Sequence, residues 1–207
     1  MNDYSEGIAH IVKSDRTLAD VIAKIGPCEL SLRTGSVFES LVRAIAHQQL
    51  TGRAANTILR RLEDALGASG SLAPETVLHA DIDVLRSVGF SLAKASYIRE
   101  AARAVTSGAI PSKAMMRKMP DEEIIEKLTA VKGIGRWSAE MFLIFDLGRL
   151  NVLPLGDYGV RKGFAIAYGM KTLPRPRTIT RRARQWHPFR TLACWYLWRV
   201  VDMKPVG

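Results

Sequence analysis

Cysteine is almost missing from this chain: Cys28 and Cys194 are the only two among 207 residues. Two thiols so far apart suggest a reducing, cytosolic setting, and they cannot supply a Cys-rich zinc site or a four-cysteine iron–sulfur cluster. Long apolar runs are missing as well, so no segment approaches the length of a bilayer span. The opening residues, Met1-Asn-Asp-Tyr-Ser-Glu6, are polar and acidic where a secretion signal would be basic and then apolar. Acidic residues are scarce at one end only. From Asp157 to Gly207 eleven Lys and Arg face two Asp and Glu, so this last quarter holds +9 of the formal +10, whereas the first 156 residues hold nineteen basic and eighteen acidic side chains. A basic surface gathered on one segment fits salt-sensitive attraction to phosphates. A merely soluble basic protein would show the same total.

Strand patterns and internal repeats are also lacking, and what is present is helical periodicity. Val37, Leu41 and Ile45 keep i, i+4 spacing, as do Ala55, Leu59 and Leu62, with Thr51-Gly52 between the two helices and Gly67 to Gly70 ending the second. One or two short helices are expected over 74–86. Val88-Gly89-Phe90 then turns the chain into a helix over 92–105 with Lys94, Arg99 and Arg103 exposed. Gly108 to Pro120 is a basic, Met-rich connector. Asp121-Glu122-Glu123 is a good helix start because acids favour the positive end of the helix dipole. The expected class is all-α, with 47% hydrophobic residues to fill a core.

Residues 128–157 carry the chemistry. A helix over 121–129 ends in Gly133-Ile134-Gly135 and a second, over about 136–147, begins at once. The glycines allow a tight turn and close approach by a partner, and the first amides of the second helix attract anions. Lys132 and Arg136 add positive charge on either side. An ordinary αα-hairpin can have the same turn. A lone acid, Asp157, follows Trp137 by twenty positions and heads a helix of about 157–168. As an N-cap it would accept hydrogen bonds from the next amides, which favour its negative charge. Leu173-Pro-Arg-Pro-Arg177 breaks the chain before a short basic helix, and a last helix, from about Pro188 to Met203, carries Trp195, Tyr196 and Trp198.

This order of blocks resembles the helix-hairpin-helix DNA glycosylases, and within them the 3-methyladenine DNA glycosylase II (AlkA-like) group. The resemblance rests on Phe38-Glu-Ser-Leu-Val-Arg-Ala-Ile-Ala-His-Gln-Gln49, Val131-Lys-Gly-Ile-Gly-Arg-Trp137, Gly156-Asp157-Tyr158, and Trp186-His-Pro-Phe-Arg190 with Trp198. It implies one glycosylase domain over 1–207 in a two-lobed helical core with a DNA-binding cleft, the hairpin lying at about 121–147. Leu85 to Lys94 would form a second, non-catalytic hairpin. The additional N-terminal β domain of longer members has no room here.

The resemblance implies that Gly133 and Gly135, flanked by Lys132 and Arg136, hold a DNA phosphate. Backbone carbonyls of Thr129, Val131 and Ile134 would bind a Na+ or K+ ion bridging to it. Asp157 would stabilise positive charge on the sugar as the base departs. Trp137 stands where strand-cleaving branches have a lysine, so the product should be an intact strand with an abasic site. Trp137, Trp198 and Met141 would line the base pocket, Met141 replacing an aromatic, and a Trp face attracts a cationic alkylated purine. Gln49 or Leu50, with Gln48 nearby, would fill the vacated stack. Trp195 reads as core, and His47 as a polar contact at a helix end rather than a metal ligand.

The expected activity is therefore monofunctional excision of alkylated purines, chiefly 3-methyladenine and also 7-methylguanine, hypoxanthine or ethenoadenine, in base excision repair. The expected protein is a cytoplasmic monomer, nucleoid-associated if bacterial, that binds damaged double-stranded DNA, engages no membrane and needs no redox cofactor or catalytic metal. The alternatives are another base specificity and a non-catalytic hairpin module that only binds duplex DNA.

Overall fold

The computed structural model describes residues 3–50, 52–67 and 71–203, and no strand forms among the described residues. Thr51, and residues 68–70 of the expected helix stop, lie outside them. The chain makes two compact units. The inner unit runs from Arg33 to Phe142, and the terminal unit joins the residues before it to those from Leu143 onward.

The terminal unit opens with α1 (Ser5–Ser14) and α2 (Arg16–Ile25). The inner unit then contains α3 (Val37–His47), α4 (Gly52–Leu66), α5 (Pro74–His79), α6 (Ile82–Ser87), α7 (Leu92–Thr106), α8 (Lys113–Met116) and α9 (Asp121–Thr129). Along α10 (Arg136–Phe145) the chain passes back to the terminal unit, which closes with α11 (Tyr158–Ala167), α12 (Pro176–Arg182) and α13 (Arg190–Asp202). The expected boundaries agree to within two residues, except that the 108–120 connector forms the single turn α8. No helix is long and apolar enough to cross a membrane among the described residues.

In the inner unit α3 is central and packs on α4 and α7. It starts with a reciprocal capping box: the Glu39 amide donates to Ser36 Oγ at 3.1 Å and the Ser36 amide to Glu39 Oε2 at 2.6 Å. Its buried stripe is Phe38, Leu41, Val42, Ile45 and Ala46. At its end the electropositive surroundings and burial hold His47 below the usual imidazole range, burial being the larger cause, while its hydrogen bond with Asn56 opposes them. The second hairpin is formed by α6 and α7 around Gly89, whose φ of +119° suits glycine. One expectation along α7 is corrected. Only Arg103 is exposed; Lys94 and Arg99 are half-buried, with Lys94 Nζ donating to Ala46 O and Gln48 O, and Arg99 to Leu78 O. Arginine and lysine stems cover apolar surface while their heads seek carbonyls, a turn of events that periodicity does not encode.

In the terminal unit α13 packs against α11 and α2. The α11 contact is close because a Cβ on Gly163 would overlap the carbonyl of Leu197. Trp195 is core, as expected, and meets Tyr196 edge-on at 4.9 Å. One buried charge organises this unit. Asp15 Oδ1 caps α2, accepting from the amides of Thr17 and Leu18, while Oδ2 accepts from Tyr168 Oη (2.6 Å), Gln185 Nε2 (2.6 Å) and Trp186 Nε1 (2.9 Å). Burial pushes its carboxyl upward, but these donors outweigh burial and leave it below the usual carboxylate range.

Candidate functional site

The hairpin in the inner unit is held from both sides of its turn. Asp121, Glu122 and Glu123 occupy the first turn of α9, and the Val131 carbonyl accepts the Ile134 amide at 3.0 Å. Gly133 has φ +92°, and a Cβ there would stand 2.5 Å from Tyr97 Cγ, so this glycine is demanded by the fold. Gly135 differs: its φ is unexceptional, and a Cβ would meet nothing within 4 Å. Nothing in the protein requires glycine there, so the open approach to its backbone is available to a ligand. The adjacent N-terminus of α10 presents amides with no intrahelical acceptor, which suits an anion.

Lys132 is exposed, as an anion contact requires. Arg136 is exposed too, but its guanidinium is engaged: Nη1 and Nη2 donate to the two carboxylate oxygens of Glu122 at 3.0 and 2.7 Å, and Nε to Glu140 Oε1 at 3.2 Å. Arg136 therefore braces α10 against α9, where the sequence suggested a phosphate contact. The carbonyls of Thr129, Val131 and Ile134 belong to the end of α9 and the turn after it. The Val131 carbonyl among them already takes the Ile134 amide, and a carbonyl oxygen keeps a second lone pair that a cation can use. Trp137, in the first turn of α10, is 43% exposed, a large fraction for an indole, while Met141 one turn later is buried.

The residues expected to act as the wedge follow α3 directly. Gln49 sits at φ +57°, a left-handed conformation uncommon for a residue with a side chain, and Leu50 is 40% exposed. Gln48 is turned aside: its Nε2 donates to Gly133 O at 2.6 Å. The structure thus separates Gln48 from the two residues displayed at the turn.

The acid lies in the terminal unit. Asp157 is the N-cap of α11 and is buried; its Oδ1 accepts from the Val160 amide at 2.7 Å and from Trp198 Nε1 at 2.8 Å. Trp198 therefore holds the carboxylate through its indole N–H, and its ring stacks on Phe145, with centroids 5.7 Å apart and planes 25° from parallel. Gly159 makes room for this contact, since a Cβ would stand 2.8 Å from Trp198 Cδ1 and 3.1 Å from Asp157 Oδ1. The loop that delivers Asp157 is pinned by buried Thr191 at the start of α13. Its hydroxyl donates to Arg149 O (2.7 Å) and accepts from the Val152 amide (3.0 Å), and its own amide donates to Leu150 O (2.9 Å). Gly156, beside the acid, is exposed and open like Gly135. Arg161 donates to Pro174 O and supports the loop after α11, while Tyr158 is exposed.

Sequence reasoning missed Phe145, Gly159 and Thr191. Gly159, in the first turn of a helix headed by the acid, was a usable signal for the Trp198 contact; nothing in the sequence distinguished Thr191 from any other threonine.

The inner unit thus offers an anion-accepting turn and two exposed residues after α3, and the terminal unit a fixed carboxylate next to aromatic rings. Among known proteins, the chain is 37% identical over 180 residues to DNA-3-methyladenine glycosylase 1 of Schizosaccharomyces pombe, covering 85% of this chain and 79% of that protein. Its fold matches the structure of a Schizosaccharomyces pombe 3-methyladenine DNA glycosylase in complex with abasic DNA, with a TM-score of 0.88, 32% identity, and coverage of 98% of this chain and 100% of the other. It also matches DNA-3-methyladenine glycosidase from Bacillus halodurans, with a TM-score of 0.86, 36% identity, and coverage of 94% and 88%. Residues 42–189 match the family described as HhH-GPD superfamily base excision DNA repair protein, and the chain belongs to that family.

Proposed function

We propose that this protein is a monofunctional DNA glycosylase that excises alkylated purines, 3-methyladenine first among them, from duplex DNA. The observation that carries the reading is the Asp157–Trp198 pair: a buried carboxylate fixed by an indole and a helix-cap amide. The relatives named for 3-methyladenine support the base class.

Excision breaks the N-glycosidic bond between C1′ and the base. As the bond lengthens, electrons leave with the base and positive charge grows on the sugar. A carboxylate held beside that carbon stabilises the charge electrostatically and directs water to C1′. The water oxygen bonds to C1′, its proton is lost, and the products are free base and an intact strand with an abasic site. Asp157 needs little reorganisation for this task, because Val160 and Trp198 already fix Oδ1. Trp137 has no amine for attack on the sugar, so a covalent Schiff-base route through that position is closed.

The base must leave the stack first. In this reading Gly133, Gly135 and Lys132 take a phosphate, Gln49 and Leu50 fill the gap, exposed Trp137 offers the base an aromatic face, and Trp198 holds the acid. A Na+ or K+ ion, if held, would sit on the Thr129, Val131 and Ile134 carbonyls and add positive charge beside the phosphate. Residues 1–207 act as one glycosylase domain and as a monomer.

The test is incubation with duplex DNA treated with a methylating agent, followed by chromatography of released bases and electrophoresis of the strand. Release of 3-methyladenine with the strand intact supports the proposal. Duplex binding with no base released would leave a non-catalytic hairpin module, and release of other bases only would reassign the specificity.

A further inference from the structure

The wedge turn and the hairpin are separate in sequence but tied together within the inner unit, and α7 makes part of the tie. Lys94 Nζ donates to Ala46 O at 3.0 Å and to Gln48 O at 2.6 Å, two of the last carbonyls at the end of α3. A cation there satisfies helix-end acceptors and meets the negative end of the helix dipole. One turn further along α7, on the same face, Tyr97 lies against the Gly133 backbone so closely that only glycine fits. Gln48 closes the triangle by donating from Nε2 to Gly133 O at 2.6 Å. The residue that follows, Gln49, holds its left-handed φ of +57°, which costs free energy and persists only when its neighbours fix it. Burial also holds the Lys94 ammonium below its usual range, as expected for a cation committed to protein carbonyls instead of solvent.

We propose that Lys94 and Gln48 are positioning residues that lock the wedge turn to the phosphate-binding hairpin, so that a phosphate seated at Gly133–Gly135 fixes where Gln49 and Leu50 enter the duplex. The proposal rests on the reading that the hairpin and wedge engage DNA. Neither Lys94 nor Gln48 needs to touch the nucleic acid. Lys94 fixes the start of the turn, Gln48 transmits the hairpin's position, and the strained Gln49 backbone is held ready. The sequence suggested that Gln48 accompanies the intercalating residues; its side chain instead faces the hairpin.

The experiment uses a duplex with a tetrahydrofuran abasic analogue flanked by 2-aminopurine, whose fluorescence reports whether a side chain has entered the stack. Wild type, Lys94→Met, Lys94→Arg and Gln48→Leu are titrated, reading affinity by anisotropy and the fluorescence change at saturation. Base release from methylated duplex is measured in parallel. Lys94→Met should lose most of the fluorescence change and slow release about tenfold, the scale of one charge-assisted hydrogen bond, while phosphate-driven affinity stays within about twofold. Gln48→Leu should show the same pattern more weakly, and Lys94→Arg should recover the signal. An affinity loss matching the loss of release would make Lys94 a DNA contact and overturn the proposal. A full fluorescence change in both Lys94→Met and Gln48→Leu would overturn it as well. Wild type that gives the fluorescence change but releases no base would refute the glycosylase reading and leave the positioning role standing.

Discussion

Gly159→Ala should separate activity from stability. The added Cβ would lie 2.8 Å from Trp198 Cδ1 and 3.2 Å from Nε1, whereas ordinary contact begins at 3.4 Å. The indole must therefore retreat by about 0.6 Å, which carries its 2.8 Å bond to Asp157 toward the limit at which a hydrogen bond weakens steeply. Losing a hydrogen bond to a charged group costs about 1.5–3 kcal/mol. If that cost falls on the transition state, release slows about 10- to 100-fold. Stability moves less, because alanine in place of glycine inside a helix contributes roughly 0.5–1 kcal/mol in its favour. The assay is single-turnover release of 3-methyladenine from methylated duplex, paired with a thermal melt. The expected result is a slower rate with a Tm lowered by only a few degrees, about 2–4 °C for each kcal/mol that the alanine does not offset. A wild-type rate in a variant whose Tm holds would show that the Trp198 contact does not position the acid, and the reasoning about the Asp157 site would fail.

The two hairpin glycines should behave differently. Gly135→Ala should fold normally and lose DNA affinity, since its Cβ enters open space that the phosphate needs, whereas Gly133→Ala should lower the Tm because of its φ of +92° and the Tyr97 ring; melts and anisotropy together check both. In the terminal unit, Asp15 has a depressed carboxyl pKa, so its contribution to stability is present above the unfolded value of 3.8 and is lost as pH falls through the lower folded value. Asp15→Asn should lower the Tm at neutral pH by about 4–8 °C, the effect of roughly 2 kcal/mol in a chain of this size, and should flatten the acid limb of the Tm-versus-pH curve. Exposed Arg177, Arg181 and Arg184 recur with helical spacing along and just beyond α12. Replacing all three with alanine should make the log–log salt dependence of DNA affinity shallower by about 2.7 if each meets a phosphate, while release at saturation stays unchanged.

Much of this fold was legible because local signals agree with tertiary packing. The three acids opening α9 and the cap at Asp157 mark helix starts by chemistry that acts within four residues, and the structure keeps both. The hairpin was legible for the same reason, since Gly133 carries the positive φ that its turn demands. What was hidden depends on long-range partners. Arg136 reads as a cation beside a phosphate turn, but Glu122, fourteen residues away, takes its fork. Trp198 reads as a pocket aromatic, yet its N–H finds Asp157 across the packing of α11 and α13. Trp186 belongs to a recognisable block, but its indole serves the buried Asp15 carboxylate 171 residues earlier. Periodicity can assign a residue to a buried or exposed face; it does not say which polar atom a side chain will meet once two helices pack.

The central claim is that Asp157 promotes cleavage of the glycosidic bond, and Asp157→Asn tests it most directly. Asparagine can still cap α11 through its side-chain oxygen, so the fold and the approach of DNA should survive while the negative charge is removed. Release of 3-methyladenine from methylated duplex is compared between the two proteins under single-turnover conditions, with duplex affinity measured alongside. The account expects release by wild type and a loss of about 10²- to 10³-fold in the variant, with affinity retained. Equal release by both proteins would contradict it.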